Sequence, residues 1–135
     1  MLCQEVNLEI REKEGLMIVT LTDPQGKMLK LIEEETIRNL RADLFSLIED
    51  GDPPWKILLD FHKVDFLSAS AMGVFIRFNV HAEKSGIKIA FYGMKPEVYR
   101  VFKITKLDEH FNIIQSLNGV LEFIGFFSDP SILDH

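Results

Sequence analysis

Ser68 and Ser70 flank Ala69 in the stretch FLSASAMG, residues 66–73, where an apolar run hands over to a helix-like segment. Two hydroxyls at such a junction could serve as a nucleophile, a phosphate cradle, a switch or a turn. A nucleophile elbow places glycine two residues before and two after its serine. Around Ser70 those positions hold Ser68 and Met72. Asp108 and His110 follow Ser70 in the order that α/β-hydrolases use, but they are only two residues apart, and Asp-x-His recurs by chance. A small serine hydrolase therefore ranks last among the readings. No dinucleotide fingerprint and no P-loop occurs. His62, His81, His110 and His135 are scattered without ligand spacing, so neither a metal nor a cofactor is expected.

The same junction suits recognition better. Ser70 is expected to cap the second helix, accepting from a free backbone N–H one turn in. Ala71 and Met72 then open the helix, and the small residues bring the loop close to the sheet edge. Ligands of open α/β sheets gather at the carboxyl ends of strands, and a helix start there offers N–H groups and positive partial charge. Spacing puts Ala71, Phe75, Phe78 and Ala82 on one face, widened by Met72 and Ile76, which reads as core. Gly73, Arg77, His81 and Lys84 fall opposite, as a solvated face or as a basic rim matched to an acidic partner or a phosphate.

The elements that must position this junction follow from pattern. Asn7 to Ile10 is a short first strand, and the β-branched run from Leu16 to Leu21 is a second. TDPQGK is a turn, and Met28 to Leu31 a third short strand. Ile37, Leu40, Leu44, Leu47 and Ile48 recur at helical spacing, so Glu33 to Ile48 reads as a helix with Glu33, Glu34 and Glu35 at its start, where negative charge suits the dipole. The unalternating ILLDF from Ile57 suits a strand covered on both faces. Ser70 to Lys84 is the second helix, closed by Ser85 and Gly86, and Ile87 to Tyr92 the next strand. Pro96 opens a third helix with Val98, Val101 and Phe102 inward. Phe111 to Ile114 is a last short strand. Ser116 to Phe127 is a final helix, apolar on several sides, packing under the sheet or against the first helix. Its apolar residues are Leu117, Val120, Leu121, Phe123, Ile124, Phe126 and Phe127, and a leftover exposed patch among them would be a partner surface or that of a weak homodimer. The alternation gives α/β with a mixed, partly parallel central sheet and about four helices.

The bulk properties narrow the class further. A chain of 135 residues, 47% hydrophobic and 27% charged, fits a single domain over 1–135 with one core. A net charge of −6 argues against nucleic acid or an anionic membrane as the main partner. Cys3 is the single cysteine, so no internal disulfide can form, and a cytoplasmic setting is expected. MLCQEVNLEI carries early charge and no long apolar core, so no signal peptide is expected, and no run of about 18 apolar residues predicts a membrane span.

Leu59-Asp60-Phe61, then Val64 to Gly73 (VDFLSASAMG), resembles the core of the STAS domain, which bacterial anti-sigma-factor antagonists and the cytoplasmic tails of sulfate transporters carry. Gly86 to Phe91 and Lys95 to Leu107 resemble the strand and third helix that follow. The likeness runs from about Glu9 to Ile124. It implies a β/α sandwich and a non-catalytic regulatory module that binds an anti-sigma factor or serine kinase partner. In antagonists that kinase phosphorylates a serine at the start of the second helix, and the phosphate blocks binding. A phosphoserine adds about −1.5 to −2 charges, which a fitted partner surface cannot desolvate without a counter-charge. Here the acceptor position is Ala69, the aspartate before it is Ser68, and the glycine after Ser70 is Ala71. The resemblance thus implies partner binding through Ser68, Ala69, Ser70, Ala71, Met72, Gly73 and Arg77, either unswitched or switched at Ser70 or Ser68. The alternative is a scaffold or ligand-sensing domain that takes a nucleotide or other small anion.

Overall fold

The computed structural model describes residues 4–125. Seven strands and four α-helices follow one another as β1 (Asn7–Lys13), β2 (Leu16–Thr22), β3 (Leu29–Leu31), α1 (Glu34–Glu49), β4 (Lys56–Asp60), β5 (Val64–Leu67), α2 (Ala69–Lys84), β6 (Lys88–Tyr92), α3 (Pro96–Ile104), β7 (Ile113–Ile114) and α4 (Leu117–Ile124). A 3-10 turn, Leu107–Glu109, follows α3. The main sheet has the order β1-β2-β4-β6-β7. Only β1 is antiparallel, paired with β2 from Asn7↔Thr22 to Lys13↔Leu16. The other pairs are parallel, with Thr20, Asp60 and Tyr92 in one row at the strand ends. The mixed, partly parallel sheet and four helices expected from the sequence are present.

Alternation along β2, β4 and β6 sorts side chains to the two faces of this sheet. Met17, Val19, Leu21, Ile57, Leu59, Ile89 and Phe91 point to one face and meet α1, α2 and α3 in the larger core. Leu16, Ile18, Leu58 and Ala90 point to the other and meet Ile114, Val120 and Ile124. Being covered on both sides is why β4 lacks polar alternation in the sequence. Five phenylalanines form the centre of the larger core, with Phe61 and Phe75 ring centroids 4.9 Å apart and Phe91 and Phe111 5.1 Å apart. Gly86, at φ +77°, closes α2 as expected.

Several expectations are corrected. Of its two expected placements, α4 takes the one under the sheet, covering the face opposite α1, where the short β6–β7 edge leaves Leu58 and Ala90 in need of cover. It starts after Ser116, whose hydroxyl accepts from the Gly119 N–H, and ends at Ile124, because Gly125 takes φ +75°. Phe126 and Phe127 lie outside the described residues. Leu117 is 57% exposed, and Leu121 is also exposed. Val101 faces solvent rather than the core, since α3 is anchored by Val98 and Phe102, with Tyr99 partly buried beside them. The last strand is only Ile113–Ile114, and β1 runs on to Lys13. Among the described residues no helix is long and apolar enough to cross a membrane.

Candidate functional site

The junction at residues 66–73 is built by a second, two-stranded sheet that the sequence pattern did not disclose. β3 and β5 pair in parallel, with Lys30 opposite Phe66 and Leu31 opposite Leu67. Leu29, Leu31, Val64 and Leu67 are buried in the larger core, so this ladder is pinned from beneath. The turn into β5 is held by Asp60, which is only 6% exposed. Its Oδ1 accepts the His62 backbone N–H at 2.9 Å and lies 2.7 Å from His62 Nδ1. The aspartate of the Leu59-Asp60-Phe61 stretch is thus committed to shaping a turn. Near the start of β5, Lys95 pairs with Asp65 and ties the ladder to the start of α3.

Ser68, not Ser70, caps α2. The helix starts one residue earlier than expected, at Ala69, and Ser68 has the extended backbone of an N-cap (φ −78°, ψ 170°). Its Oγ accepts from the Ala71 N–H at 3.2 Å. Its own N–H donates to the Leu31 carbonyl and its carbonyl accepts from the Met72 N–H, both at 2.9 Å. With backbone and side chain all engaged, Ser68 is a fixed point. Ser70 then falls inside the first turn, is exposed, and among the described residues its hydroxyl makes no hydrogen bond. No acidic side chain occupies that first turn.

The remaining expected residues divide cleanly. Ala71 and Met72 are buried, so they hold the helix rather than meet a partner. Phe75, Phe78 and Ala82 continue that buried face, as expected. Ala69 and Ser70 are open to solvent, and Gly73 is half-buried. Arg77 is exposed; a Cβ placed on Gly73 would lie 3.6 Å from Arg77 Nη1, so the guanidinium lies back over Gly73 toward the helix start. His81 is not on a free face: it stacks on Phe45 of α1 at 5.3 Å and sits 3.5 Å from the Glu49 carboxylate. Beside the corner, Phe66 is 50% and Ile32 51% exposed, from adjoining ends of β5 and β3.

Two residues here escaped the sequence reading. Arg38 and Arg41 of α1 share a groove with Ala69, Ser70, Gly73 and Arg77. Their spacing relative to Ile37, Leu40 and Leu44 marks them as outward, but only the packing of α1 against α2 shows that they face the corner. A further charged group lies apart from it. Asp23 opens the turn before β3; partial desolvation raises its carboxyl, but the Gln25 and Lys27 backbone N–H groups, the Gln4 amide and the Lys27 charge outweigh this and hold it below the usual carboxylate range.

Comparison with known proteins agrees with this geometry. The family model of the STAS domain matches residues 7–120. Among solved structures, an anti-sigma factor antagonist from Mycobacterium paratuberculosis is similar, with a TM-score of 0.68 and 17% identity, over 89% of this chain and 95% of that one. The phosphorylated form of the Bacillus cell fate determinant SpoIIAA matches with a TM-score of 0.62 and 12% identity, over 87% and 99%. An anti-sigma-factor antagonist (STAS) domain protein from Planctomyces limnophilus matches at 0.67 and 15%, over 84% and 93%. No curated protein sequence gives a significant match.

Proposed function

Because this chain belongs to the STAS domain family, we propose that it is a non-catalytic regulatory module, like an anti-sigma-factor antagonist, that docks a kinase or anti-sigma type of protein partner in the cytoplasm. The docking surface is the corner of Phe66, Ala69, Ser70 and Gly73 with Arg77 at its rim, held from below by Ser68, Ala71 and Met72. The observation that carries this reading is the contrast within the corner. Its backbone is fixed by Ser68 and the β3–β5 ladder, yet Phe66, Ala69 and Ser70 stay open to solvent. A rigid, partly apolar, exposed surface binds with little ordering cost.

Alanine at position 69 removes the hydroxyl at the position where antagonists carry their phosphoacceptor. Ser68 spends its hydroxyl on the cap, so Ser70 is the serine of this corner with an oxygen free for modification. Its bulk and charge, if phosphorylated, would suit the helix start and oppose a fitted partner. Among the described residues no acid or base is bonded to Ser70, which favours recognition over hydrolysis.

The test is capture of the partner from native cytosol by wild type, Ser70→Glu and Phe66→Asp. Both variants should lose the partner by tenfold or more while unfolding at or near the wild-type temperature. If both folded variants captured it as well as wild type, the corner would not be the docking surface.

A further inference from the structure

The chain is acidic as a whole, with a net charge of −6. Against that background three guanidinium groups, Arg38 and Arg41 from α1 and Arg77 from α2, line one open groove of about 400 Å³. Its apolar lining comes from Ile37, Val74 and Gly73, one carboxylate, Glu34, also lines it, and it opens beside Ala69 and Ser70. Among the described residues, Glu34 is the one acid that lines the groove beside the three arginines. Glu34 lies 3.6 Å from Arg38 Nη2, but both side chains are strongly exposed, and such a pair is weak and readily exchanged. Arg41 lies over the Phe45 ring at 5.6 Å, an aromatic contact that leaves its charge without a carboxylate partner among the described residues. Arg77 makes no ion pair among the described residues.

We infer that this groove receives an acidic segment of the protein partner, two or three carboxylates on one stretch of chain. The inference rests on the docking reading above and names the chemistry that the partner brings. Guanidinium groups bind carboxylates through paired N–H donors. Arg38 and Arg41 are almost one turn apart, about 4.5 Å along the axis of α1, and Arg77 faces them from the other wall. Carboxylates spaced along a peptide can pair with the three groups one by one, with its aliphatic parts against Ile37 and Val74. The uncompensated start of α2 adds positive potential at the groove's mouth.

The probe is a hexaglutamate peptide, titrated into isotopically labelled protein and followed by NMR, with inorganic phosphate as a parallel titrant. The peptide should shift the side-chain N–H signals of Arg38, Arg41 and Arg77 and the amides of Ser70 and Gly73. A combined Arg38→Gln, Arg41→Gln, Arg77→Gln variant should bind at least about tenfold more weakly. A control with Lys27, Lys88 and Lys103 changed to Gln should bind as wild type does. All six positions are exposed, and thermal unfolding verifies each fold. Equal peptide binding by both variants would overturn the inference, as would phosphate matching the peptide in affinity. Partner capture separates the two readings. Loss of capture by the arginine variant supports the groove. If the arginine variant keeps the partner while Phe66→Asp loses it, the groove inference fails and the corner stands. If both keep it, the corner reading fails.

Discussion

Helices α1 and α2 begin side by side, and they solve the same problem in opposite ways. Each start has unsatisfied N–H groups and roughly half a positive charge. α1 takes no side-chain cap from Glu33, but it carries Glu34 and Glu35 in its first turn. α2 has a serine cap and no acid in its first turn, only Ala69, Ser70 and Ala71. The first helix answers its own field with its own carboxylates. The second satisfies hydrogen bonding and leaves its field, and its small side chains, to whatever approaches. A helix start that is geometrically fixed but electrostatically open is suited to recognition, whereas one that is charge-balanced is suited to stability.

The strongest way to break this contrast is to remove the floor under α2. Phe75 is fully buried, 4.9 Å from Phe61 and 6.2 Å from Phe91. Phe75→Ala should cost about 3–5 kcal/mol in urea unfolding, and partner capture should fall with the folded fraction. The caps give a sharper comparison. Ser68→Ala should cost about 1 kcal/mol, whereas Glu33→Ala, where no side-chain cap exists, should change stability by less than about 0.5 kcal/mol. Equal losses would mean that the two starts do not differ as described. Smaller again is the charge effect on α1. Glu34→Gln with Glu35→Gln should cost about 0.3–1 kcal/mol at low salt, fading in 1 M salt.

The smallest effect concerns Asp23, which accepts from the Gln4 side chain, while the Gln4 carbonyl accepts from the Thr36 hydroxyl in the first turn of α1. Its folded pKa lies below the ordinary 3.8, so its contribution is fully present above that value. It is lost as pH falls through the lower folded pKa. Acid unfolding of Asp23→Asn should lack that part of the pH dependence. Identical profiles for wild type and variant would remove Asp23 as a source.

Much of this was legible from residue pattern, for stated reasons. The periodicity from Ile37 to Ile48 marks α1, because one face packs on the sheet and the other meets water. The apolar run at Ile57 marks β4, because both its faces are covered. β5 was not legible: in Val64-Asp65-Phe66-Leu67 the two middle residues face outward, and its pairing partner lies beyond α1 and β4. The cap was misplaced because Ser68 and Ser70 carry the same acceptor oxygen, and only the extended backbone at Ser68 decides between them. The arginine groove was invisible because Arg38 and Arg41 read as the solvated side of a helix until the neighbour of that side is known.

The parallel β3–β5 ladder has a consequence for the order of events during folding. Leu31 meets Leu67 only after the intervening helix and strand have been folded back between them, and closing so long a segment is slow relative to forming α1 or α2 alone. A nascent or partly denatured chain can therefore possess both helices and still lack the recognition surface. Docking competence would then follow the long-range strand pairing and not the helices, so that a partner engages molecules with a completed ladder and passes over those without one.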